Sequence, residues 1–83
     1  MEVVIAKKTY KEINKLSEEN STRIYAFLMK LKTIPPRSKG KALKGKFKTI
    51  WRYRVGDFRI FADIQDEILT ILVVKISHRS KAY

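Results

Sequence analysis

The stretch Trp51-Arg52-Tyr53-Arg54-Val55-Gly56-Asp57-Phe58-Arg59-Ile60-Phe61 constrains the fold more than any other, because residues alternate regularly on both sides of a Gly-Asp pair. Glycine as the first residue of a two-residue loop suits a type II′ turn, whose twist matches that of the strands it joins. Such a turn sets a register in which Val55 faces Phe58, Arg54 faces Arg59 and Arg52 faces Phe61. Like charges directly opposed on a sheet repel, at a cost on the order of a few tenths of a kcal/mol. The other face of the hairpin carries Trp51, Tyr53, Val55, Phe58 and Ile60 and is free to be a core face. The arginine face is then either an ordinary solvated basic surface or a surface built to receive an anion, and the rest of the chain bears on which.

Charge distribution favours the anion. The chain carries 19 Lys and Arg against 8 Asp and Glu, a net charge of +11. Between Arg37 and Arg59 lie Arg37, Lys39, Lys41, Lys44, Lys46, Lys48, Arg52, Arg54 and Arg59 with Asp57 as the one acid, so this window holds most of the excess. A concentration of this kind is the electrostatic footprint of a polyanionic partner. The cations fall on a loop and strands, not on an amphipathic helix, which favours nucleic acid over a membrane surface. Arg37, Lys39, Lys41, Lys44, Lys46 and Lys48 are the candidates for RNA or ribosome contact.

At 83 residues the chain makes one domain, spanning 1–83, with a single modest core. It has no cysteine, so neither a disulfide framework nor a thiolate site is available. No apolar run approaches the roughly 20 residues of a membrane span, and MEVVIAKK lacks a signal peptide's order of charge then apolar run. The expectation is a cytoplasmic protein with no membrane partner.

Taken in order, Glu2 to Ala6 reads as a short strand. Thr9-x-x-Glu12 fits a capping box, followed by Tyr10, Ile13 and Leu16 at helical spacing to near Ser17. Glu18 to Ser21 offer turn and cap residues before a second helix, in which Ile24, Phe27, Leu28 and Leu31 form an apolar stripe. Pro35-Pro36 is expected to end it, since neither proline supplies a backbone N–H. Tyr10, Tyr25 and Phe27 are expected to pack. After the basic connection and the hairpin, Asp66-Glu67 turns the chain, and Ile68 to Ile76 is apolar enough for a strand covered on much of both faces. The expected fold is α+β: an N-terminal strand, then a two-helix antiparallel pair on one face of an antiparallel C-terminal sheet, in the order β-α-α-β-β-β.

Strand parity assigns Trp51, Tyr53, Val55, Phe58, Ile60, Ala62, Ile64, Leu69, Ile71 and Val73 to the helix-covered face. Arg52, Arg54, Arg59, Phe61, Asp63, Leu72, Val74 and Ile76 fall on the other. Phe61 and Leu72, opposite one another if the second turn also has two residues, would leave an apolar patch for a partner protein or the chain's own terminus to cover.

The chain ends Ser77-His78-Arg79-Ser80-Lys81-Ala82-Tyr83. Curled beside Arg52, Arg54 and Arg59, this tail would collect four arginines, a histidine and a tyrosine. RNA cleavage by the 2′-hydroxyl needs a proton acceptor, donors for the phosphorane charge and an acid for the leaving 5′-oxygen. Arginine supplies the donors, since its fork matches phosphate oxygens and stays charged. Proton handling falls to Tyr83, His78, substrate or water, because arginine does not deprotonate. Taken alone, a lone histidine at a strand end is more often surface decoration than a catalytic group, and a C-terminal tyrosine more often frayed or packed. No carboxylate pair, metal-ligand spacing or Gly-rich phosphate loop is present, so no metal or cofactor is expected.

Leu43-Lys44-Gly45, the run from Trp51 to Ile60, and His78-Arg79 followed by Tyr83 resemble the RelE/ParE superfamily of bacterial and archaeal toxins, especially RelE-type messenger-RNA endonucleases. The resemblance spans nearly the whole chain. It implies a toxin that enters the ribosomal A site and cuts the bound message through the RNA's own 2′-hydroxyl, without a metal, so inhibiting translation. By position, Arg52 and Arg54 match the two basic residues of the family's first catalytic strand, and Arg59 the transition-state arginine. Arg79 matches the arginine that helps the leaving group, and Tyr83 the tyrosine that orients or activates the nucleophile. Two departures stand out: arginine at both 52 and 54 leaves no lysine to act as base, and the spacing from Arg79 to Tyr83 is shorter than in some members. Other branches use a histidine near this end, which keeps His78 a candidate. The resemblance further implies a cognate acidic, RelB-like antitoxin, whose site would include Phe61 and Leu72. Two other readings remain: a ParE-like inhibitor of DNA gyrase without a hydrolytic site, and a catalytically inactive nucleic-acid-binding module.

Overall fold

A computed structural model describes residues 1–43, 45 and 50–78. β1 (Glu2–Ile5) leads into α1 (Lys7–Asn14) and α2 (Glu18–Leu31), then β2 (Lys41–Ala42), β3 (Ile50–Val55), β4 (Phe58–Gln65) and β5 (Thr70–His78). The strands form one sheet in the order β1-β5-β4-β3-β2, with β1 parallel to β5 and the remaining pairs antiparallel. The α+β expectation holds, enlarged by β1 joining the sheet at one edge and by β2, a short strand within the expected basic connection, at the other.

The hairpin turns as its sequence requires. Val55 pairs with Phe58, Arg54 with Arg59 and Arg52 with Phe61. Gly56 takes φ +57° while Asp57 stays out of the left-handed region, the pattern of a II′ turn. Phe58, Ile60, Ala62 and Ile64 alternate into the core along β4 and meet Ile13, Ile24, Leu28 and Leu31 from the helices. The apolar stripe of α2 is therefore its sheet-facing side. Phe27 reaches Tyr53 with ring centroids 5.4 Å apart. Tyr10 and Tyr25 pack on each other at 6.0 Å on the helix surface, with Tyr10 exposed.

Both helix boundaries differ from the sequence signals. The capping box at Thr9 and Glu12 does not form: α1 starts at Lys7, its N-terminus has no side-chain cap, and Thr9 lies inside the helix, buried. The cause is tertiary. Ala6 N–H donates to the Val73 carbonyl, continuing the β1–β5 ladder, while its own carbonyl accepts from Tyr10 N–H. Strand end and helix start thus share one residue, leaving no room for a cap at Thr9. α2 begins directly at Glu18, with Ser17 accepting from Asn20 N–H at 3.2 Å. It stops at Leu31, short of the prolines: Lys32 and Thr33 donate to carbonyls three residues back, and Ile34, preceding Pro35, is steered away from helical geometry.

The second turn is longer than expected. A 3₁₀ turn, Asp66–Ile68, and a left-handed Leu69 at φ 51° separate β4 from β5, so Gln65 pairs with Thr70. A bulge then breaks the ladder: Phe61 pairs with Lys75 but Ala62 with Val73, which leaves Val74 as the extra residue. Through the turn and the bulge, two face assignments and one expected pairing change. Ile76 crosses to the core, opposite Ile60, and is buried. Leu69 leaves the sheet and is exposed. Phe61 and Leu72 are not opposite one another; they face Lys75 and Asp63, and both are half-buried.

The bulge makes a sharp prediction, since unbroken alternation would give Val74 and Ile76 one environment. Ile76→Ala should cost about 2–4 kcal/mol in urea unfolding, and Val74→Ala less than about 1 kcal/mol. Equal losses would rule the bulge out.

Candidate nucleic-acid interface

Across the open side of the sheet, the register lines residues up in rows. Arg54, Arg59 and Ser77 make the row nearest the hairpin turn; Lys41, Arg52, Phe61 and Lys75 make the next; Ile50, Asp63, Leu72 and Val4 lie beyond. The face therefore grades from cationic at the turn to apolar at the other end. Arg54 and Lys41 are exposed, while Arg52 and Arg59 are half-buried, so these two guanidinium groups are held closer to the surface of the sheet.

Two clefts share Arg54 as a wall. The smaller, about 210 Å³, lies among Arg54, Gly56, Asp57, Phe58 and Arg59. The larger, about 620 Å³, is lined by Phe27, Lys39, Gly40, Lys41, Arg52, Tyr53 and Arg54. Together they form a cationic surface with a pocket at one end, dimensioned for a charged group flanked by more chain.

The larger cleft exists because the loop before β2 is clasped onto β3. Trp51 Nε1 donates to the Lys39 carbonyl at 2.6 Å, and the Tyr53 hydroxyl donates to the Pro36 carbonyl. Burial pushes the Tyr53 phenol up to about 12, so it stays a neutral donor at any ordinary pH. Arg37 donates two hydrogen bonds of 2.8 Å to the Asp66 carboxylate and lies 5.9 Å from the centre of the Trp51 ring. The bidentate pair ties the loop to the turn after β4. Gly40 closes the clasp: at φ +76°, a Cβ there would stand 2.3 Å from the Arg52 carbonyl oxygen and 2.8 Å from Trp51 Nε1. Lys39 and Lys41 are thereby held at the cleft.

The expected site residues divide accordingly. Arg52, Arg54 and Arg59 come together with Lys41 on one face. Arg37, expected to contact RNA, instead serves as a strut to Asp66. His78 pairs with Phe58 and sets its ring edge-on against it at 5.3 Å, so it lies on the helix side of the sheet, across from the arginines. Trp51, expected in the core, is half-buried at the core's margin. Arg79 and Tyr83, with Lys44, Lys46 and Lys48, lie outside the described residues. Sequence reasoning missed Lys75, which the bulge places beside Phe61; the one available signal was a lone charge inside an apolar strand.

The chain's relationships agree with this architecture. Residues 5–83 match the family model described as ParE toxin of type II toxin-antitoxin system, parDE. The chain belongs to this toxin family, within the RelE/ParE superfamily. No curated protein sequence matches it. Among solved structures, it is similar to the toxin-antitoxin complex RelBE2 from Mycobacterium tuberculosis, with a TM-score of 0.85 at 21% identity over 96% of this chain and 92% of that one. It is also similar to the isolated E. coli RelE toxin (TM-score 0.76, 16% identity, 93% of this chain and 82% of that one). A third likeness is to the archaeal RelE-RelB complex from Pyrococcus horikoshii OT3, with a TM-score of 0.73 at 22% identity over 98% and 97%. At these identities the likenesses establish the shared fold of this type II toxin. No helix among the described residues is long and apolar enough to cross a membrane.

Two outcomes test the clasp. Gly40→Ala should destabilise the domain by more than about 1 kcal/mol in urea unfolding, because it combines a left-handed φ with a backbone collision. The hydrogen bonds from Arg37 hold the Asp66 carboxyl below its ordinary value. A depressed carboxyl stabilises the fold above the unfolded pKa, and the contribution disappears as pH falls through the folded value. Carboxyl NMR should therefore show Asp66 titrating below the usual aspartate range, returning to it in Arg37→Gln. An Asp66 that titrates normally in the parent protein would show the clasp is not formed in solution.

Proposed function

We propose that this type II toxin is a ribosome-dependent, metal-independent endoribonuclease that cuts messenger RNA in the A site. The observation that carries the reading is the direct opposition of Arg54 and Arg59 beside a small cleft, with Arg52 and Lys41 in the adjoining row of the same face. A cross-strand arginine pair opposes folding, and an anion between the two guanidinium groups relieves that repulsion. RNA phosphate fits the shape and the charge. In the proposed reaction the ribose 2′-oxygen attacks the adjacent phosphorus, the bond to the 5′-oxygen breaks, and the arginines stabilise the charge on the pentavalent phosphorane. The proton leaves the 2′-hydroxyl for Tyr83 or water, and the 5′-oxygen takes one from water while Arg79 stabilises the charge developing on it. In support, Ser77 pairs with Arg59, so the chain departs from the sheet at the arginine end. His78, on the other side, is left out of the proton transfers and packs against Phe58.

The partner we propose for the free toxin is an acidic RelB-like antitoxin. The similar structures from Mycobacterium tuberculosis and Pyrococcus horikoshii are toxin–antitoxin complexes, and the half-buried Phe61, flanked by Arg52 and Lys75, suits an acidic chain with an apolar anchor, with half-buried Leu72 in the next row beside Asp63. A second reading is favoured by the matched family model itself, which is that of ParE: inhibition of DNA gyrase without a hydrolytic site.

Primer extension on a message undergoing translation distinguishes the two. Wild type should leave cuts within codons, and Arg59→Ala or Arg54→Ala should lower cleavage by roughly 10²-fold, as for loss of one preorganised transition-state donor. Arg54→Ala should fold at least as stably as the parent, since it removes one member of a repelling pair, and Arg59→Ala should still fold. A gyrase-dependent DNA damage response without cuts would establish the ParE-like reading instead, and an unfolded Arg59→Ala would make that arginine structural.

A further inference from the structure

The two helices differ in the charge of their first turns. α2 is conventional: Ser17 caps it, Glu18 and Glu19 sit at the positive end of its dipole, and Glu19 bonds Arg23 one turn on at 3.2 Å. α1 has no acid in its first turn and opens instead with Lys7 and Lys8. Lys11 and Lys15 then follow Lys7 at successive i, i+4 steps, each within reach of a like charge. All four lysines are exposed, whereas Thr9 and Ile13 are buried against the sheet. At 3.6 residues per turn the four fall within an arc of roughly 100°, with Lys11 pointing directly away from the buried pair. The result is a slanting row of cations about 12 Å long with steps of about 6 Å, which begins at Lys7, ends at the C-cap Lys15 and has half-buried Glu12 at its side.

We propose that the outer face of α1 is a second nucleic-acid surface, which binds the phosphate backbone of double-helical RNA through Lys7, Lys11 and Lys15. It extends the reading of the sheet face as an RNA site without depending on it. α1 packs on the helix side of the sheet, so the row lies away from Arg54 and Arg59 on a molecule 34 × 27 × 22 Å in extent. Two such surfaces suit a small domain lodged between elements of a folded RNA. Lysines act as point charges and favour backbone contact without base reading. A single strand needs aromatic platforms, and the one ring on α1, Tyr10, stands at the rim of the row against Tyr25. A protein partner would need an anchor from the residues enriched in interface cores, where lysine is depleted. A bilayer would need the apolar face of α1, which the sheet already covers.

Binding to an RNA duplex of about 16 base pairs and to a single strand of the same length, followed by fluorescence anisotropy across a salt series, tests the proposal. Lys11→Gln/Lys15→Gln is compared with the charge-matched Lys30→Gln/Lys32→Gln, whose lysines are exposed on and beyond the end of α2. Glutamine keeps lysine's helix propensity, and circular dichroism verifies the fold; Lys7→Gln/Lys11→Gln replaces the first pair if it fails. The α1 pair should lose roughly tenfold or more in duplex affinity at 0.1 M salt, with the salt slope falling by up to about 2. The α2 pair should lose less than about 3-fold, and single-strand binding should hold in both. Equal losses in the two pairs, parallel loss of single-strand binding, no duplex binding by the parent, or loss confined to a polyglutamate probe would each overturn it. Arg54→Ala separates the two surfaces: it should weaken cleavage and single-strand binding only. Absent cleavage with an intact α1 effect would sink the endoribonuclease reading and leave this one standing.

Discussion

The two-residue turn at Gly56-Asp57 is the constraint on which the rest of the molecule depends. By setting Val55 against Phe58 it decides which side of β3 and β4 meets the helices, because a one-residue slip would exchange core and solvent faces along the whole pair. It also sets Arg54 opposite Arg59. The same geometry therefore produces both the burial that holds the domain together and the charge opposition that the open face must live with. Glycine is needed there because the turn's first position has φ +57°, a conformation other residues enter only with strain.

What could be read in the chain divides along local and non-local lines. The hairpin register, the apolar stripe of α2 and the core face of β4 were legible because each is encoded by residues within a few positions of one another. The start of α1 was not, since Ala6 answers to Val73, far away in the chain, before it answers to Thr9. The bulge at Val74 was hidden for a similar reason: nothing in ILVVKI marks which residue is skipped until β4 is laid beside it. Of the site, Arg52, Arg54 and Arg59 followed from the turn. The conversion of Arg37 from ligand to strut could not be seen, because its partner, Asp66, is brought near only by the finished sheet.

The basic loop illustrates how a cleft is shaped by clasping contacts: Tyr53 lines it, while Trp51 and Arg37 hold the loop from outside it. Trp51 and Tyr53 lie on the helix side of β3, yet their polar ends reach round to hold carbonyls of the loop, while Arg37 braces it from the far end. The Tyr53 donor is the one removed from water, where a hydrogen bond is costly to leave unmade; the bonds of Trp51 and Arg37 are exposed. The backbone at Lys39 and Lys41 is thus positioned by the clasp and by pairing with β3 more than by charge.

Strand pairing on the outer side of β3 stops early, since β2 meets only Trp51 and Arg52. Among the described residues, no strand pairs with the outer side of Tyr53 to Val55, a short margin of the kind on which copies of a chain stack into aggregates. Arg54 stands in the middle of that margin, exposed. Its charge then has a duty unconnected with any ligand: it keeps a crowded cell's worth of identical strands from zipping together, and an apolar residue there would endanger solubility even in a molecule that had given up its poison.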